Sequence, residues 1–221
     1  MTKDITQAIQ ILNSSLSMLK PVVKSFDKSL SIYGSDPRSA FWRNAEWQRK
    51  RFEILSSLFF SEDLQGGISI TDFGCGYGAF FNYLRNSSVM KNSRYIGIDI
   101  SAAMINQAQS KITDPRAKFQ RQIISTEKTD YTFVCGTYNM NMDADENEWK
   151  NYIKASLAQL WSKTTKGLAF NLLRSDTTKK FNSLYYADIE EFLDFCHNSL
   201  GAKVDYSNDS PLPDWTVFIR R

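Results

Sequence analysis

Four residues at alternate positions, Asp72, Gly74, Gly76 and Gly78, close a short β-type run, Ile68–Ser69–Ile70–Thr71, and precede an apolar stretch containing Phe80, Phe81, Tyr83 and Leu84. Glycine tolerates positive φ and carries no Cβ, so such a turn can bend sharply and lie against a ligand. The free N–H groups of a following helix then point at that ligand. Two registers fit. Gly74, Gly76 and Ala79 satisfy G-x-G-x-x-G/A, the dinucleotide pattern. Asp72, Gly74, Gly76 and Gly78 satisfy a second register with an acid ahead of the glycines. An acid there repels a pyrophosphate but suits a ligand carrying an ammonium group.

A second carboxylate, Asp99, ends the next β-type run, Arg94–Ile98, about 25 residues beyond the first glycine, the interval of a βαβ unit. It can accept two ribose hydroxyls through charge-assisted hydrogen bonds. Dinucleotide enzymes place an acid similarly, so Asp99 alone leaves both registers open. The Asp72–Gly78 motif, with Asp99–Ile100–Ser101–Ala102–Ala103–Met104–Ile105 after it, resembles the class I S-adenosylmethionine-dependent methyltransferases. The resemblance covers residues 66–220. It implies S-adenosylmethionine as cofactor, with S-adenosylhomocysteine as product. It also implies cofactor contacts from Asp72, Gly74, Cys75, Gly76, Gly78 and Asp99, and from Ile100 and Met104 beside the adenine. Ser101 is expected to cap a helix. The family often places an acid after the third strand to bind the adenine amine. Here Phe119–Ile124 carries none, and Gln122 or a backbone group is the candidate.

The fourth strand, Asp130–Gly136, brings Cys135 to the same strand ends. Tyr138 and Asn139 follow as the catalytic candidates that would face the methyl group. A packed tyrosine in an asparagine-filled turn is the competing reading. The N/D-P-P-Y/F/W tetrad of amino-methylating nucleic-acid enzymes is absent, which argues against that chemistry.

The elements that must position these groups are readable from apolar spacing. Residues 4–20 form a helix closed by Pro21, and Val22–Ile32 a second, shorter one. Asp36 caps a third with Pro37 in its first turn, running to Phe60. Tyr33, Trp42 and Arg51 of this region, with Tyr138 and Tyr186, are expected to line the acceptor site. Core packing explains the aromatics equally well, and Arg49–Lys50–Arg51 as a cluster reads as a solvated helix face. Further on come a helix over 102–111, a strand over 117–122, a helix over 146–164, a strand over 167–173, a polar loop over 174–186 and a helix from Asp188 to Leu200. Two final strands, 202–207 and 215–220, flank Pro211–Leu212–Pro213. His197, in a helix's last turn, reads as structural.

The expected fold is α/β: a Rossmann-like, doubly wound, mostly parallel sheet with a C-terminal antiparallel hairpin and an N-terminal helical extension. Residues 1–65 are expected to cap residues 66–221, the cofactor-binding domain. A chain of 221 residues, 42% hydrophobic, supports a substantial core. A net charge of +3 gives no warrant for nucleic-acid or membrane partners. Three widely spaced cysteines and a single histidine suggest reduced thiols and no metal site. With no signal-type start and no membrane-length run, a cytoplasmic protein is expected.

The sulfonium methyl is a strong electrophile, so orientation, worth up to roughly 7–11 kcal/mol in model systems, dominates the task. No base stands out, which points to an acceptor nucleophilic on its own or ionised by its surroundings. The expectation is methyl transfer to an N or O atom of a small molecule. Macromolecular methylation and dinucleotide-dependent oxidoreduction are the alternatives.

Overall fold

The computed structural model describes residues 2–208 and 212–221. Pro211, expected in the hairpin turn, lies outside the described residues, as does Met1. Eight strands form one sheet: β1 (Ser69–Phe73), β2 (Arg94–Asp99), β3 (Ala117–Arg121), β4 (Thr129–Val134), β5 (Thr164–Arg174), β6 (Tyr186–Ala187), β7 (Lys203–Ser207) and β8 (Asp214–Arg220). Their order is β3-β2-β1-β4-β5-β8-β7, with β6 pairing β5 off this path. The pairs from β3 to β5 are parallel, and β8 runs antiparallel to both β5 and β7. The strand order reverses at β1, between β2 and β4, so a crevice opens at their carboxyl ends.

Alternation along the strands divides the core between the two sheet faces. On one face Ile70, Tyr95, Tyr131 and Phe133 pack under α3 (Ala45–Ser56), α4 (Ala79–Leu84) and α5 (Ala102–Lys111), meeting Phe52, Leu55, Phe80, Phe81 and Ile105. On the other, Ile98, Val134, Leu168 and Phe170 meet Trp149, Ile153 and Leu157 of α6 (Glu146–Ser162) and Phe192 of α7 (Ile189–Asp194). Ala8 and Leu12 of α1 (Thr2–Ser14), and Leu19 and Val22 of α2 (Leu16–Tyr33), belong to this second core. The N-terminal helices thus share buried surface with the sheet. A polar tie adds to this: the Tyr131 hydroxyl donates to Asp63 Oδ2 at 2.6 Å, and Lys166 Nζ reaches Asp63 Oδ1 at 2.6 Å.

Three helix boundaries differ from the expectation. Pro21 sits inside α2 rather than closing α1. The break falls at Ser15 instead, where the Ser14 and Ser15 hydroxyls both donate to the Ile11 carbonyl. Serine hydroxyls that bond back to a helical carbonyl bend or end the helix. The helix expected from Asp36 to Phe60 is two pieces. Asp36 caps only a 3₁₀ turn, Pro37–Ala40, and Phe41 then adopts left-handed φ of 59°. A fresh cap, Asn44 accepting from Trp47 N, starts α3. Trp42 therefore lies on a link between helices. The helix after Asp188 ends at Asp194 and continues as a π-turn, Phe195–Ser199, in which His197 is exposed.

Because Leu12 is 1% exposed within the shared core, Leu12→Ala should destabilise the whole chain by about 2–5 kcal/mol. Urea unfolding followed by both tryptophan fluorescence and circular dichroism should show one shifted transition. A separate early transition, with the main one unmoved, would mean that α1 melts independently.

Candidate active site

One cleft lies at the strand ends and joins the sequence motifs. It encloses about 1050 Å³ of space, its open mouth included, a size that suits a cofactor-scale ligand. Its floor is the turn after β1. Gly74 N and Cys75 N both donate to Ile98 O, at 2.7 and 3.0 Å, and Gly76 N donates to Asp99 Oδ2 at 2.9 Å. A Cβ on Gly74, at φ +77°, would stand 2.1 Å from Thr137 Oγ1. Only glycine lets β1 end that close to the segment after β4. At Gly76 a Cβ would project into open space, its nearest neighbour Met104 Sδ at 3.9 Å.

The two acids differ in setting. Asp72 is 2% exposed, and burial pushes its carboxyl up to about 7. The Tyr95 hydroxyl, donating to Oδ2, opposes that shift, while the Asp99 charge adds to it. Burial also raises Asp99, against the pull of the Ser101 and Gly76 amides. Ser101 N donates to Asp99 Oδ1 at 2.8 Å, and Met104 N to Ser101 Oγ at 3.0 Å, which caps α5. The Ser101 hydroxyl in turn donates to Asp27 Oδ1 on α2. That bond ties the N-terminal helix across the end of β2.

Of the expected cofactor residues, Asp72, Gly74, Cys75, Gly76, Asp99, Ile100, Met104, Gln122 and Cys135 all line the cleft. Gly78 does not. It caps α4, and its missing Cβ makes room for Ile112 and Phe119 in the core. Burial pushes both the Cys75 and Cys135 thiols well up, which disfavours thiolates there.

The expected acceptor and catalytic residues fare differently. Trp42 lines the cleft. Tyr138 is fully buried beside α6, its hydroxyl 2.7 Å from Ser156 Oγ and its carbonyl accepting from Trp149 Nε1. Asn139 Oδ1 accepts from Leu173 N at 3.1 Å, pinning the loop to β5. Both face the core, because the chain turns inward at Thr137 to meet α6. Tyr33 is exposed beneath the Arg38 guanidinium, and the Tyr186 hydroxyl accepts from Phe181 N at 3.0 Å within its own loop. Neither reaches the cleft.

Arg51 is neither a cleft residue nor part of a solvated face. It is 4% exposed and forms an ion pair with Asp214. Its Nη1 donates to Trp47 O at 3.1 Å, and its guanidinium lies 4.5 Å from the Trp42 ring centre and 5.7 Å from that of Trp47. Burial pushes Asp214 up against the pull of Arg51 and the Asn171 amide. Asn171 Oδ1 also holds Gly136 N at 2.6 Å. A Cβ on Gly136 would meet the Trp42 ring at 2.6 Å. Trp42 thus packs against both Arg51 and Gly136 while lining the cleft.

Apolar helix faces that the sequence offers only as core also line the cleft, Leu19, Val22, Val23 and Phe26 of α2, Phe52 of α3, and Trp149 and Tyr152 of α6, together with Gln48 and Tyr77, for which the sequence gives no signal. The apolar period was visible, but a stripe facing a cleft and one facing a core read alike. Asp214→Ala should cost about 3–5 kcal/mol, since it strands a buried guanidinium, whereas Arg51→Met with Asp214→Leu should recover most of that loss. Urea midpoints of the three proteins check this; equal midpoints for the single and double variants would contradict it.

Known proteins resemble this chain in sequence and in fold. Residues 70–160 match a family described as a methyltransferase domain. A Mycobacterium tuberculosis protein named as a methyltransferase, Rv1506c, is 31% identical over 156 residues, 69% of this chain and 93% of its own length. Among solved structures, magnesium protoporphyrin IX methyltransferase from Synechocystis with bound S-adenosylmethionine superposes with a TM-score of 0.60 at 15% identity, over 80% of each chain. Human N-acetylserotonin methyltransferase, also with S-adenosylmethionine, gives 0.64 at 12% identity, over 98% of this chain and 65% of that one. With motif, fold and relative in agreement, the chain belongs to the class I S-adenosylmethionine-dependent methyltransferases.

Proposed function

We propose that the cleft binds S-adenosylmethionine along the glycine turn and Asp99 and delivers its methyl to an N or O atom of a small molecule held beneath α2 and Trp42. The observation that carries this reading is that one cleft joins the motif residues to an apolar annex. The residues present suit the cofactor. The open space above Gly76 admits a ligand where a side chain would block it. Each Asp99 oxygen accepts one backbone amide and keeps capacity for a ribose hydroxyl. Gln122 Oε1 is buried without a partner, as an acceptor awaiting the adenine amine would be. In this reading Ile100 and Met104, which line the cleft, flank the base, and Asp72 meets the ammonium.

Bound cofactor supplies an electrophilic sulfonium methyl; the chain's part is to hold the acceptor behind it and keep water out. The α2 side chains and Trp42 serve the second task. Neither histidine nor lysine lines the cleft among the described residues, which favours an acceptor that needs no strong base. A small molecule is favoured over RNA or protein because α2 and the Trp42 link overhang the cleft. We further propose a cytoplasmic setting, in keeping with the unpaired Cys75, Cys135 and Cys196. No described helix is long and apolar enough to cross a membrane.

Calorimetric titration with S-adenosylhomocysteine beside NADH tests the cofactor: micromolar binding of the first and none of the second is expected, and the reverse would sink the reading. Asp99→Ala should weaken S-adenosylhomocysteine by roughly 10–100-fold, and Gly76→Val by more. Unchanged affinity in either folded variant would remove that residue from the site.

Affinity should also depend on pH. With the free Asp72 carboxyl near 7, a cationic ligand must displace a proton below that pH. Binding should then weaken by up to about tenfold per pH unit as pH falls from 7, and Asp72→Asn should flatten that slope. A wild-type affinity constant from pH 5.5 to 8 would refute the coupling.

A further inference from the structure

We infer that the methyl acceptor is a flat, apolar molecule bearing no anionic group, a deepening that rests on the proposed methyl transfer. Away from the glycine turn the cleft is walled mostly by hydrocarbon and aromatic side chains, Val22, Val23 and Phe26 from α2, Trp42 from the link and Phe52 from α3, with the uncharged Gln48 and Thr137 among them. The charged residues lining it, among the described residues, are Asp72 and Asp99, both carboxylates and both at the cofactor end. A carboxylate or phosphate on the acceptor would therefore be buried with no cationic side chain among the lining residues to pair it, which is costly.

The cations nearby are spent elsewhere. Arg51 is sealed behind Trp42, neutralised by Asp214 and donating to Trp47 O. Arg38 pairs with Asp36 and stacks on Tyr33 at the exposed surface. Arg43 stacks on Trp47 at 4.9 Å. The Arg51 guanidinium thus lies against Trp42, which lines the cleft while Arg51 itself does not. That arrangement selects against anions while giving a flat ring an aromatic edge and an apolar wall to pack on. An amine is admitted, because the carboxylates at the far end favour cations.

Three probes that share one ring separate these contributions: indole, tryptamine and indole-3-acetate, titrated by ligand-observed NMR into the chain saturated with S-adenosylhomocysteine at pH 7.5. Indole and tryptamine should bind, and indole-3-acetate should bind about tenfold or more weakly than indole. Trp42→Ala and Phe26→Ala should each weaken indole several-fold while S-adenosylhomocysteine still binds. Indole-3-acetate binding as tightly as indole would overturn the inference, as would indole binding unaffected by both substitutions. Failure of indole and tryptamine alike to bind would overturn it too. If S-adenosylhomocysteine itself does not bind, the methyltransferase reading is what fails. The same order of probe affinities on the free chain would then still report the chemistry of the annex.

Discussion

The site depends on the turn after β1 being stitched to the end of β2. Gly74 and Cys75 amides converge on one carbonyl, Ile98 O, and the next amide, that of Gly76, reaches the Asp99 carboxylate. These bonds hold the backbone at positive φ and fix the carboxylate's orientation before any ligand arrives. Asp99 then holds the start of α5 through Ser101, and Ser101 holds α2 through Asp27. A single chain of hydrogen bonds thus runs from the cofactor floor to the helix that roofs the cleft. Preorganisation of this kind reduces the ordering cost that binding must meet.

The roof gives the site its character. α1 and α2 share a core with α6, so the apolar side chains over the cleft are anchored by the same packing that supports the sheet. Trp42 is anchored differently, by a guanidinium on one side and Gly136 on the other. The ion pair behind it sits where two charges are costly to desolvate, and Asp214 Oδ1 has no hydrogen-bond partner. A buried pair on those terms is a poor source of stability. Its evident effect is to hold Trp42 and, through Asn171, the Gly136 amide in one arrangement.

Much of the cofactor end was legible in the sequence, since glycine spacing, a terminal acid and a capping serine act over a few residues. Asp72, Gly74, Gly76, Asp99 and Ser101 need only their immediate neighbours and one βα turn, whereas Gly78 serves the core. Gln122 stands in the cleft wall where the sequence lacks an acid, and its orphaned Oε1 is visible only in the structure. The acceptor end was much less so. Tyr138 and Asn139 follow a strand aimed at the cleft, yet the chain turns inward after Thr137 and both side chains satisfy the core.

By itself, the sequence determined the α/β order, the parallel sheet with its antiparallel end, the glycine turn and the acids beside it. Those follow from periodicity and from backbone chemistry that is local. Only the tertiary structure decided what lines the rest of the cleft. The partner of Arg51 is 163 residues away, and no pattern in α3 separates a cation that greets a ligand from one sealed behind a tryptophan. The apolar stripe of α2 likewise serves core and cleft at once, because hydrophobic burial is non-directional and the same side chains pack against either.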